Sequence, residues 1–387
     1  MKKSRLNLLI VSLLATFFGL VAGALLMLAI GSNPIDGYWN LFQGGLGFLL
    51  PNGITRLGDT LAKATPLIFT GLSVAFAFRT GLFNIGAAGQ MLFGGLCAVA
   101  VGLTFTFPQP VMILLVVFAG CLGGAIWGII PGFLKAKFNV HEVVSTIMMN
   151  WIAYWIVYYT IPAFFKGPFL ETESKLIPDA AGFKMQSLSN LFGGSEINLG
   201  LFFAIASVIL IAFILNKTVL GYELKAVGFN RHAAEYAGIN VNRNIILSMM
   251  IAGGLAGLAG AAQYMGNATS MQIGVMPTQG FDGIAVALLG ANTPLGALLA
   301  ALFFGILYTG KGYMNAKTSI PPEIADTIIA TIIYFAATSI LIQRVIEWTK
   351  KKGPRKLERQ RIAEESKPIV VNEDEKSEDE KGGVEDE

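Results

Sequence analysis

Apolar residues in this chain come in long unbroken runs, and polar residues collect in the gaps between them. A helix rises about 1.5 Å per residue, so about 20 apolar residues cross the hydrocarbon core of a bilayer. Ten runs approach that length, near residues 6–30, 60–78, 82–104, 110–134, 143–165, 197–216, 245–264, 280–295, 296–314 and 324–343. The pattern predicts an all-α, polytopic integral membrane protein with about ten transmembrane helices. The run at 280–295 is short. It, or the pair meeting near residues 79–82, also fits a re-entrant half-helix, which is tolerated at membrane depth only where protein or a cavity covers its backbone. The first run follows Lys2, Lys3 and Arg5 but is longer than the apolar stretch of a secretion signal, so it reads as a span.

Composition agrees with this pattern. Of 387 residues, 54% are hydrophobic and 14% charged. A soluble core could not hide so much apolar surface, and 45 glycines fit packed membrane helices. Charge is unevenly placed. Glu358 to Glu387 holds twelve acidic and five basic residues, leaving 23 of the 28 basic and 13 of the 25 acidic residues for the rest. Residues 351–387 are therefore expected to be a charged, disordered cytoplasmic tail following a transmembrane domain over 1–350. With the N-terminus inside and the sides alternating, sixteen basic residues fall in inner segments and seven in outer ones, which predicts N-in and C-in by the positive-inside rule. Two gaps are long: an outer one near 166–196 and an inner one over 217–243.

The chemistry that is missing is informative. No Gly-x-x-x-x-Gly-Lys-Ser/Thr phosphate loop, no His-Glu-x-x-His pair and no Gly-x-Ser-x-Gly elbow occurs. His141 and His232 are the only histidines. Cys97 and Cys121 sit inside apolar runs without metal or disulfide spacing. No enzyme activity, metal or cofactor is expected. Lys63, Asp282 and Asp326 lie near predicted span ends, so few ionisable groups are left for a proton relay. Any uphill transport would then draw its energy from another chain. Glycines recur every fourth residue at Gly120, Gly124 and Gly128, and again at Gly253 and Gly257 with Ala261 continuing the row. Such faces let helix backbones approach closely in lipid.

The inner segment 217–243 is polar and basic. Asn230 is a good N-cap and Gly238 a natural C-cap, which predicts a short helix over Arg231–Ala237 lying across the cytoplasmic face. Gly221, Lys225, Ala226, Gly228, Asn230, Ala233, Ala234, Gly238 and Ile239 resemble the coupling loop of ABC importer permeases of the branched-chain amino acid, ribose and nucleoside type. The run Arg79-Thr-Gly-Leu-Phe-Asn-Ile-Gly-Ala-Ala-Gly-Gln-Met91 is similar to the signature of the nucleoside, basic membrane lipoprotein-dependent branch, with Ala88 in place of its Glu. The resemblance covers roughly residues 60–343. It implies import of nucleosides powered by a separate ATPase subunit that pushes the 230–238 helix. It also implies a second permease subunit, an extracytoplasmic substrate-binding lipoprotein and the lipid of a bacterial plasma membrane as surroundings; no nucleic-acid partner is expected. An ABC permease for simple sugars or branched-chain amino acids, and an ion-coupled secondary transporter, are the rival readings.

Asn84 and Gln90 sit in a charge-poor stretch broken by Gly81, Gly86 and Gly89. Their amides suit the polar edges of a base or ribose, and equally suit bonds between helices. Asn150 and Trp151 add an amide beside an aromatic face, although Trp151 also fits an interfacial belt. Gln263, Asn267 and Phe281 are weaker candidates.

Overall fold

Side-chain caps at Asn33, Thr218, Asn230 and Asn240 open four helices, and a proline at or next to the first residue marks the start of four. The computed structural model describes residues 2–47, 49–168, 171–318 and 320–337. The charged tail, the boundary at 350 and the end of the 324–343 run lie outside them. The described residues belong to one compact unit, Met1–Ser339. In chain order the helices are α1 (Lys2–Ala29), α2 (Pro34–Leu46), α3 (Gly53–Arg79), α4 (Ala87–Thr104), α5 (Gln109–Phe138), α6 (Glu142–Phe164), α7 (Gln186–Leu191), α8 (Gly200–Lys217), α9 (Val219–Phe229), α10 (Arg231–Tyr236), α11 (Val241–Ala262), α12 (Gln279–Leu289), α13 (Pro294–Thr318) and α14 (Pro322–Ala337). A π-helical turn, Gln263–Asn267, prolongs α11. Among the described residues the extended pairing is limited to two isolated bridges, Lys166 with Ser174 and Glu173 with Gln272.

Six helices are long and apolar enough to cross a membrane: α3, α4, α5, α8, α11 with its π-turn, and α13. This is fewer than the ten expected, for identifiable reasons. α6 has 23 residues but carries Trp151, Trp155, Tyr154, Tyr158 and Tyr159, which make it less apolar. α14 is described for 16 residues. The apolar part of α1 with described side chains runs over Leu14–Ala29. The run at 280–295 yields only the 11 residues of α12, about 16 Å of helix and roughly half a crossing. Ala291 and Asn292, each with φ of 51°, reverse the chain before Pro294 opens α13. Of the two readings open for this run, the helix is thus the shorter one.

The two glycine rows face each other. A methyl group on Gly124 would overlap the Gly253 carbonyl oxygen, and one on Gly257 would overlap that of Gly120. α4 joins them, because Gly94 meets the backbone of Gly257. Without a hydrophobic drive between helices in lipid, this backbone-to-backbone approach is what holds α4, α5 and α11 together. The large buried side chains Phe69, Phe76 and Phe304 fill the other side of the bundle, between α3 and α13. Outward faces stay apolar where lipid would lie: Leu114, Phe118, Ile209 and Phe213 are all exposed.

Candidate functional site

At one end of the bundle the two sequence motifs meet. α3 stops at Arg79, and Gly81, with φ of +73°, turns the chain in a conformation that other residues rarely adopt. The guanidinium of Arg79 donates from Nε to the Asn292 carbonyl at 2.8 Å, tying this elbow to the α12–α13 reversal. α9 lies directly on the elbow. Gly228 has no room for a side chain, since a methyl there would overlap the Arg79 carbonyl oxygen and come within 3.0 Å of the Thr80 carbonyl carbon.

The predicted short helix forms as α10. Asn230 caps it, its side-chain oxygen accepting from the amides of His232 and Ala233 at 3.0 and 3.1 Å. Gly238, with φ of +81°, follows it in the left-handed region. Ala234 is buried in a small cluster with Val227, Ala77, Leu82, Ile245 and Met249, so α9 and α10 are packed onto the ends of α3 and α11. Their other faces are bare: Tyr222 is 67% exposed, Phe229 90% and Tyr236 94%. Large aromatic groups turned out of a packed helix pair are what a protein-binding surface presents. Gly221 packs on the Leu215 backbone at the α8–α9 junction. Lys225 and Ala226 lie along α9, and Ala233 is on the first turn of α10.

Three of the four path candidates are brought together, but around the elbow. Asn84 and Gln90 are buried and bond reciprocally: Asn84 Nδ2 donates to Gln90 Oε1 at 2.8 Å, and Gln90 Nε2 to Asn84 Oδ1 at 3.2 Å. Asn84 Oδ1 also accepts from the Gly86 amide. Asn150 accepts from the Gly89 amide at 2.8 Å and donates to the Ile85 carbonyl at 3.1 Å. Asn84 and Asn150 thus satisfy backbone groups freed by the break between α3 and α4, which would otherwise be orphaned in the interior, and Gln90 braces Asn84. Trp151 is 55% exposed and lies in an aromatic run with Tyr154 and Trp155 on the outside of α6. Ala88 is fully buried, and Gly280 of α12 packs on its backbone.

A cavity of about 650 Å³ lies elsewhere, among α3, the π-turn, α12 and α13. Arg56, Asp59, Lys63, Gln263, Asn267, Gln279, Asp282, Tyr308 and Lys311 line it. A second space of about 470 Å³ shares Glu196, Gln263, Asn267, Thr278 and Gln279 with it and continues to Ser270 and Gln272. Lys63 lies 16 residues before Arg79 on α3, about 24 Å along the axis, so the cavity occupies the end of the bundle away from α9 and α10. Its size suits a small molecule.

Local sequence builds its wall. Pro66 has no amide to give Ala62, and Asn267 Nδ2 takes the freed Ala62 carbonyl at 3.0 Å. Asn198 in turn donates to Asn267 Oδ1 at 2.9 Å. The π-turn is closed by the Ala268 amide bonding five residues back to Gln263. Such turns re-aim side chains and recur at functional sites. Tyr308 donates to Asp282 Oδ2 at 2.8 Å across α12 and α13. Lys311 pairs with Asp326 at 2.8 Å. Gln263 and Asn267, weak candidates in the sequence, thus belong to the wall, and Asp59, Gln279 and Tyr308 join them without a sequence signal of their own. Lys63 and Asp282 carry one signal in the sequence, charge within an otherwise apolar run. Among the described residues no group of His, Cys, Asp and Glu could hold a metal ion.

Residues 56–337 match the family described as branched-chain amino acid transport system / permease component. The chain is 43% identical over 350 residues to the guanosine ABC transporter permease protein NupP of Bacillus subtilis (strain 168), covering 90% of this chain and 99% of that protein. It is 42% identical over 361 residues to the nucleoside ABC transporter permease protein NupB of Lactococcus lactis subsp. cremoris, covering 89% and 97%. It is 30% identical over 342 residues to a glucose ABC transporter permease protein of Haloferax volcanii, covering 86% and 87%.

Proposed function

We propose, from the premise that the chain belongs to the branched-chain amino acid transport system permease family, that it is the permease subunit of an ABC importer translocating nucleosides. Identity above 40% along nearly the whole length of two nucleoside permeases supports the substrate class, against 30% for the glucose permease. The observation that carries the mechanism is the seat of α9 on the elbow between α3 and α4, backbone against backbone at Gly228 and Arg79. A push delivered to α10 reaches the ends of α3 and α11 without a compressible side chain at that contact.

In this reading a separate ATPase subunit binds the bare aromatic faces of α9 and α10. Closure of the ATPase pair drives alternating access, and no ATP chemistry resides in this chain. A second permease chain completes the path, and a substrate-binding lipoprotein delivers solute at the end carrying residues 165–199. Gly221, Lys225, Ala226, Gly228, Asn230, Ala233, Ala234 and Gly238 form the coupling element. Asn84, Gln90 and Asn150 act as the frame that fixes the elbow, Trp151 faces the lipid of the plasma membrane, and the solute wall is the cavity containing Gln263 and Asn267. The chain crosses ten times with both termini inside, using α1, α3, α4, α5, α6, α8, α11, α12, α13 and α14. α12 completes its crossing with the segment over 268–278. The sixteen-to-seven bias of basic residues supports that orientation.

Uptake of labelled guanosine by cells carrying the complete importer tests the substrate class. Excess unlabelled nucleosides are expected to suppress uptake at least tenfold, and glucose or leucine to change it less than twofold. Suppression by glucose or leucine, with nucleosides inert, would replace this substrate class with the corresponding rival.

A further inference from the structure

The cavity holds one acidic group whose placement no structural need fully explains. Asp282 lies on the first turn of α12 and lines the space shared by α3, α12 and α13. Among the described residues its carboxylate receives one hydrogen bond, from Tyr308 to Oδ2. An ionised carboxylate is an acceptor only, with capacity for several donors, so this leaves acceptor capacity directed at a solute-sized space. Gln279, one turn earlier on α12, lines the same wall. Gln263 faces the space from the π-turn, and Lys63 brings an ammonium from α3. Asp326, the other acid noted in the apolar runs, is already paired with Lys311. Within a membrane protein, an acidic side chain that lines a solute-sized space is a functional-site hypothesis by default.

We propose that Asp282 is a specificity-determining residue of the solute path, its carboxylate accepting two adjacent donors from the nucleoside while Tyr308 holds the side chain toward the cavity. This inference rests on the nucleoside reading above. A neutral nucleoside offers such donor pairs at two places: the ring N–H with the neighbouring exocyclic amine of guanine, and the 2′- and 3′-hydroxyls of ribose. Both suit a carboxylate, because hydrogen bonds to a charged acceptor are roughly twice as strong as neutral ones. Lys63 supplies donors for the carbonyl or ring-nitrogen acceptors of the base.

The test compares maximal import rates of guanosine, inosine and 2′,3′-dideoxyguanosine by the complete importer with saturating binding protein. Inosine lacks the exocyclic amine and dideoxyguanosine lacks the diol. Asp282→Asn keeps the size of the side chain and an acceptor for Tyr308, and places an amide where a charged acceptor stood. It is expected to lower guanosine import at least tenfold and to remove the wild-type preference for guanosine over one analogue. Loss of discrimination against inosine assigns the base edge; loss against dideoxyguanosine assigns the ribose. Asp282→Glu, which keeps the carboxylate, is expected to preserve the wild-type order of the three substrates. A purely structural tie between α12 and α13 would depress all three rates together, so unchanged rate ratios in Asp282→Asn overturn the inference, as does a lost order in Asp282→Glu. A wild-type complex that imports no nucleoside at all would overturn the nucleoside reading itself, whereas unchanged ratios in an importing variant remove only the role of Asp282.

Discussion

Gly228→Ala is expected to cut solute import by the complete importer at least tenfold while the chain still inserts and can be purified. The added methyl would overlap the Arg79 carbonyl oxygen, and its neighbour at 3.0 Å is the carbonyl carbon of Thr80. Both are backbone atoms, so no side chain can swing aside, and α9 must lift from the elbow. Overpacking of this kind costs about 1–3 kcal/mol. The cost falls on a contact at the bundle end, while the glycine rows of α5 and α11 are untouched. What should fail is transmission, because α10 follows α9 away from Ala77, Leu82 and Ile245. Import rate and the amount of ATPase co-purified with the permease are the readouts. Wild-type values for both would mean that this contact transmits nothing.

The second large effect concerns folding. Gly257→Leu is expected to reduce the yield of monodisperse protein below one-tenth of wild type. Gly257 abuts the Gly120 carbonyl and the Gly124 backbone on α5, and Gly94 of α4 packs on its Cα. A leucine side chain there would separate three helices whose association depends on close backbone approach. Gly312→Leu on α13 serves as the comparison, because a Cβ at Gly312 meets nothing within 4 Å, and its yield is expected to remain within twofold of wild type. Size-exclusion profiles in detergent measure both. Equal yields would show that the glycine rows are dispensable to the packing.

These two sites also show what could be read from the sequence. The four-residue spacing of Gly120, Gly124 and Gly128 states directly that one helix face is flat, and the partner row at Gly253 and Gly257 has the same spacing. Asn230 and Gly238 bracket α10 by cap chemistry alone, which is local and therefore legible. α9 was not anticipated, because its 11 residues read as loop until they pack on the elbow. Likewise the short run at 280–295 reads through the break that ends α12 at Leu289. The left-handed pair Ala291–Asn292 that ends it carries no glycine to announce a positive φ, although Gly290 and Pro294 flank the break.

The cavity was the least legible part. Asn84, Gln90 and Asn150 have the right chemistry for a substrate, but a chain break inside the bundle creates orphaned backbone groups; Asn84 and Asn150 bond to those groups, and Gln90 bonds to Asn84. The cavity wall is drawn instead from four elements far apart in sequence: Lys63, Gln263, Asp282 and Tyr308 come together only in the fold. The link from Pro66 through the Ala62 carbonyl to Asn267 spans 205 residues between its hydrogen-bonded partners, and no local pattern encodes it.

Proteoliposomes test most directly whether this chain is a passage whose motor lies elsewhere, with labelled guanosine outside and either the complete importer with its binding protein and internal ATP, or this chain alone under an imposed proton or sodium gradient. Accumulation against the concentration gradient is predicted only in the first preparation, and only while ATP is present. Gradient-driven accumulation by this chain alone, without an ATPase, would contradict a separate motor.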